Sequence, residues 1–216
     1  MEQFNPVTLI FIMVTIGIAP FAIMMITSYV KIVVVISLVR NALGVQQIPP
    51  AAALNGLAIV LSVFIMAPTA MQTRDLLMAQ TLPPNASPGQ LMEVVGNASG
   101  PMQSFLFRNT EKRIRTLFVR TAHQVWPEDQ QGNIREDNFL ILIPSFTISE
   151  LTKAFQIGFL LYLPFVAIDL IISNILLAMG MMMVSPMTIS LPFKLLLFVT
   201  LDGWLKICQG LLLSYM

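Results

Sequence analysis

A chain of 216 residues in which 56% are hydrophobic, only 11% are charged and the formal net charge is +1 lies outside the range of soluble domains, where about a quarter of residues carry charge. It needs lipid, partner subunits or both. The absence of a basic tract interleaved with aromatic residues argues against a nucleic-acid surface, while one cysteine, Cys208, and one histidine, His123, exclude an intrachain disulfide and leave no material for a metal or cofactor site.

Charge spacing divides the chain into an N-terminal hydrophobic arm (1–73), a central polar segment (74–138) and a C-terminal hydrophobic hairpin (139–216). The uncharged run from Gln3 to Val30 is long enough, at about 1.5 Å per residue, to cross a hydrocarbon layer of about 30 Å. It does not read as a signal peptide, because Glu2 stands where a positive flank belongs. Gly17 and Pro20 interrupt it, which predicts a kinked or broken helix carried on to Arg40. Lys31 and Arg40 either snorkel, mark cytosolic flanks or pair in the interior. Gly44, Pro49 and Pro50 predict a turn. A helix from Ala51 to about Met71 follows, whose small residues Ala51, Ala52, Ala53, Gly56, Ala58 and Ser62 predict a close helix contact.

The central segment opens with a Pro-, Gly- and Asn-rich stretch, expected to form a flexible loop over 81–103. From Ser104 to Ala122, Phe107, Ile114, Leu117 and Phe118 recur at helical spacing among Arg and Lys. The main reading is a surface helix with a solvated basic face; the alternative is a face for anionic lipid or a partner. His123 reads as solvated or capping, and Trp126 as packing a loop onto the domain.

In the second arm Glu150 reaches Lys153 at i, i+3, and Ser149, Lys153 and Gln156 share one side of a helix. A Ser–Lys catalytic pair lacks an orienting third group, so an internal ion pair is preferred and no enzyme is expected. If the hairpin turns between Gly180 and Met187, Asp169 lies about 16 Å and Lys194 about 10 Å from the tip, placed to tie the hairpin together or to bind a neighbouring subunit. Asp202 and Lys206 form a further i, i+4 pair. Met179, Met181, Met182, Met183 and Met187 crowd too densely for one helical stripe. They read either as a packed or lipid-exposed loop or as a soft gasket, since unbranched thioethers adapt to irregular surfaces and an apolar constriction resists water and ions.

The segments SYVKIVVVISLVRNALGVQQIPP (28–50), GLAIVLSVFIMAP (56–68), FTISELTKAFQIGFLLYLPFVAIDLIISNILLAMGMMMVSPMTISLPFKLLLFV (146–199) and DGWLKI (202–207) resemble the type III secretion export-apparatus family that includes FliP and the injectisome R-type subunits. The resemblance covers both hydrophobic arms. It implies an all-α subunit of long kinked helical hairpins with a small central helical segment, assembling in five copies with S-type and T-type subunits into a hetero-oligomeric export gate. Further U-type and V-type components, membrane lipid and unfolded secreted proteins in transit are the other implied partners. It also implies a multi-pass protein of the bacterial inner membrane, with the assembled gate extending toward the periplasm, and a channel-constricting methionine loop that falls on Met181, Met182 and Met183, flanked by Met179 and Met187. The central WPE segment and the missing cleavable leader favour the injectisome branch and virulence over motility. A small polytopic channel or transporter for solutes is the alternative function.

Overall fold

The computed structural model describes residues 6–45, 48–80, 93–94 and 96–216. Among them every regular element is helical: α1 Pro6–Ile26, α2 Tyr29–Ala42, α3 Ala51–Met78, α4 Gly100–Asn109, α5 Lys112–Val125, a 3-10 turn Glu128–Asn133, α6 Phe139–Ala178, α7 Pro186–Thr200 and α8 Gly203–Leu213.

The organising helix is α2, which packs on both α6 and α3. Its Ile32, Val35, Ile36, Val39 and Ala42 recur at spacings of three and four, so all fall on one face, and all are buried. From α3 the matching stripe is Leu54, Ala58, Ser62 and Met66, each four residues apart and buried. Of the small residues expected at a helix contact, Ala58 and Ser62 meet this chain, whereas Ala51, Ala52, Ala53 and Gly56 are exposed. A second core gathers Phe105 and Leu106 of α4, Leu142 and Phe146 of α6, Met66 and Tyr215. The Phe105 ring lies 5.8 Å from that of Phe146 and 6.0 Å from that of Tyr215. Close approach of α2 and α6 depends on Gly158, where a side chain would run into Leu38.

The helix breaks differ from those the sequence suggests. Pro20 sits inside α1; the chain instead turns by 76° at Thr27–Ser28, between Gly17–Ile26 and Tyr29–Ala42. A proline removes only one backbone hydrogen bond from a helix, whereas the turn at 27–28 is held by buried polar contacts, beginning with a hydrogen bond from Ser28 Oγ to Ser62 Oγ at 3.1 Å. α3 does not stop near Met71 but continues past residue 73 to Met78. The single amphipathic helix expected over 104–122 is two helices, because Thr110 and Glu111 are extended. Asn109 Nδ2 and Thr110 Oγ1 bond back to the carbonyls of Phe105 and Leu106 at 2.8 and 2.7 Å. The Arg115 guanidinium then bonds the carbonyls of Phe107 and Thr110 at 2.7 and 2.8 Å, satisfying acceptors that a helix end leaves free. The Glu2 flank and most of the loop expected over 81–103 lie outside the described residues; its last part, from Gly100, already belongs to α4.

Two helices, α3 and α6, are long and apolar enough to cross a membrane, and the bent pairs α1–α2 and α7–α8 pass the same test as broken spans. Only 22% and 11% of the most apolar windows of α3 and α6 are buried within the chain, so most of that apolar surface faces outward.

Candidate functional site

The methionine tip joins α6 to α7. At the end of α6 the N–H of Met181 donates to Leu176 O at 2.9 Å and that of Gly180 to Leu177 O at 3.0 Å. This crossed pair is the Schellman closure, and Gly180 supplies the left-handed residue it requires at φ 73°. The Met182 N–H donates to Gly180 O, and Val184 N–H to Met181 O. Pro186 then starts α7 at a position where its missing N–H has no intrahelical partner to lose. The turn is therefore hydrogen-bonded through its backbone while its side chains stand free: Met179, Met181 and Met187 are exposed, Met182 is 81% exposed and Met183 99%.

Behind the tip, α6 and α7 are joined by charge. Lys194 Nζ lies 2.6 Å from Asp169 Oδ2 and also donates to the carbonyl of Ala42 at 3.2 Å. Ser190 Oγ donates to Asp169 Oδ1 at 2.5 Å. Lys194 is buried, whereas the Asp169 side chain keeps about a third of its exposure, so one bond set links α6, α7 and the C-terminal end of α2. Ser190 lies one helical turn before Lys194 on the same face; that spacing is the signal by which sequence alone could have included it.

Farther along, Glu150 of α6 and Lys31 of α2 form a buried ion pair at 3.2 Å, with both side chains almost fully enclosed. The Tyr215 hydroxyl donates to Glu150 Oε2, and the Tyr215 ring lies under Lys31 Nζ at 3.4 Å, so one residue solvates both charges. Burial, followed by the neighbouring Glu150 carboxylate, pushes the Tyr215 phenol far above its ordinary range and keeps it a donor. Tyr215 was missed by sequence reasoning because no local spacing connects it to residues 31 or 150. Lys153 Nζ lies 3.4 Å from Glu150 Oε1 and donates to Asn109 O at 2.6 Å. Ser149 Oγ instead accepts from the Glu111 N–H at 3.2 Å, so Ser149 and Lys153 each serve a different backbone group.

One further expectation is corrected. No ion pair joins Asp202 to Lys206 among the described residues. Asp202 is left-handed, at φ 52°, in the break between α7 and α8, so its side chain departs from the helical direction that would align it with residue 206. Of the alternatives left open for Arg40, an interior ion pair is not seen among the described residues, and its Nε is buried without a hydrogen-bond partner among them.

The chain matches the FliP family model over residues 12–211. It is 50% identical over 211 residues to the Yop proteins translocation protein R of Yersinia pestis, covering 98% of this chain and 97% of the relative. Identity to the virulence protein YscR of Salmonella typhimurium is 51% over 200 residues, covering 93% and 92%. The hypersensitivity response secretion protein HrcR of Ralstonia nicotianae is 45% identical over 219 residues, covering 100% of both. With its apolar helices and near-complete alignment to these secretion proteins, the chain belongs to the FliP family, as a membrane protein of the R-type and a core structural subunit of the type III secretion export apparatus.

Proposed function

We propose that copies of this chain, five by family resemblance, assemble with S-type and T-type subunits and bring their methionine tips to a common axis, closing the channel through which unfolded proteins leave the cytoplasm. The observation that carries this reading is the tip: a backbone-bonded turn presenting Met182 and Met183 almost entirely outside the subunit. Flexible thioethers on a fixed turn pack against irregular neighbours and yield to a passing chain, and an apolar constriction blocks ions without a charged lock. The assembly sits in the bacterial inner membrane and extends toward the periplasm, and U-type and V-type components complete the apparatus. Energy enters elsewhere, since the sequence carries no phosphate-binding glycine loop.

The test is conductance of the assembled complex in a planar bilayer. Replacing Met181, Met182 and Met183 together by glycine is expected to raise ion leakage at least about tenfold while the complex still assembles. Unchanged conductance in fully assembled complexes overturns the gasket.

A further inference from the structure

Helix α5 lies against α6 with its N-terminal end at the level of Ser149–Lys153, fixed there by the Glu111 N–H on Ser149 Oγ and by Lys153 on Asn109 O. Between the two helices runs an open groove of about 790 Å³. Lys112, Arg113 and Arg120 line it, all three exposed, and among the described residues none has an ion-pair partner. This distinguishes them from Arg74, Arg115 and Arg135, each of which has a carboxylate within 3.4 Å. Glu111 is the one acid in the lining, so positive charge prevails.

The α6 side of the groove is mixed, with Thr152 and Gln156 beside Ile148. Its exposed apolar residues are Leu117 of α5 and Ile148 of α6, and Phe155 and Phe159, seven and eleven residues after Ile148, carry the Ile148 face of α6 on outside the groove, both more than half exposed. From Ile148 to Phe159 the stripe extends about 16 Å along the helix, comparable with much of an extended acyl chain. Unpaired cations at one end, continuous with an uncovered aromatic stripe, fit a ligand that is anionic at one end and hydrocarbon for the rest of its length.

We propose that this groove is a binding site for an anionic phospholipid, whose headgroup phosphate is held by Lys112, Arg113 and Arg120 and whose chains lie along Ile148, Phe155 and Phe159. An acidic segment of a partner protein fits the cations but leaves the stripe uncovered. The site does not depend on closure of the methionine tip.

The full-length chain in neutral detergent, offered dioleoyl phosphatidylglycerol or dioleoyl phosphatidylcholine and examined by native mass spectrometry, is expected to retain the anionic lipid preferentially. Each of Lys112→Gln, Arg113→Gln and Arg120→Gln should weaken retention about fivefold, and the triple variant should lose the preference. The paired-cation control Arg74→Gln/Arg135→Gln should keep it, and Phe155→Asn/Phe159→Asn should shorten lipid residence without abolishing selectivity. Equal retention of the two lipids, an undiminished preference in the triple variant while its circular dichroism remains helical, or an equal loss in the control overturns the proposal. So does a photocrosslinker at Leu117 that, in the assembled apparatus, captures protein and never lipid.

Discussion

At the scale of single residues, the buried charges decide how the chain closes on itself. Removing an ammonium or carboxylate from water costs several kcal/mol, and the cost is offset only when the geometry satisfies both groups. Around Glu150 it is offset by Lys31, Lys153 and the Tyr215 hydroxyl together. Glu150→Ala leaves Lys31 buried without its counter-charge and is expected to destabilise the chain by about 3–5 kcal/mol. Tyr215→Phe keeps the ring beneath Lys31 but loses the bond to the carboxylate, and should cost about 1.5–3 kcal/mol. Thermal unfolding of the purified chain in detergent checks both, and a Tyr215→Phe protein as stable as the parent contradicts the account. The Glu150–Lys153 contact was legible because three residues of helix bring those side chains together. Lys31 and Tyr215 come from distant parts of the chain, and their convergence on Glu150 is a property of the packed helices that no local pattern encodes.

Among helices, the distinctive connection is the one linking α6, α7 and α2 through Asp169, Ser190, Lys194 and the Ala42 carbonyl. Asp169→Lys places two ammonium groups together and is expected to block assembly of the export complex. Reversing Lys194 as well restores an opposite-charge pair but turns a carboxylate toward the Ala42 carbonyl, two acceptors facing one another. Rescue in Asp169→Lys/Lys194→Asp is therefore expected to be partial, assayed as the fraction of chain migrating in the complex on native gels. Complete rescue would mean that the carbonyl contact contributes nothing. Helix existence was legible throughout the apolar arms, where length and uninterrupted hydrophobicity leave no alternative. Break positions were not: the turn at Thr27–Ser28 and the corner at Thr110–Glu111 are tied to Ser62 and Ser149 on distant helices, while Pro20, the stronger local signal, is absorbed within a helix.

For the molecule as a whole, the decisive fact is how much apolar surface one copy leaves uncovered. Beyond Gly158 most of α6 faces outward, as do Val60, Val63 and Phe64 of α3 and Leu196 and Val199 of α7, far more than a soluble monomer exposes. The chain purified in mild detergent after co-expression with the rest of its secretion operon is expected to run with unlike helical subunits. Native mass spectrometry showing only a monomer or a simple homo-oligomer would favour a solute carrier instead. Composition made this need for lipid and partners plain from the outset, and the crowding of methionines between Met179 and Met187 marked the tip. Which outward faces meet lipid and which meet protein was not legible, because both select the same side chains.

The internally bonded turn at Gly180 has a mechanical corollary. A loop tied across its own backbone has little slack to pay out, so if such turns border an aperture, as proposed above, it would widen as an iris does, by the swing of stiff blades, and not like a drawstring being let out. On that proposal the blade would be α6 with α7, and the Asp169–Lys194 pair, about three helical turns behind Gly180 along α6, would tie the two so that they tilt as one.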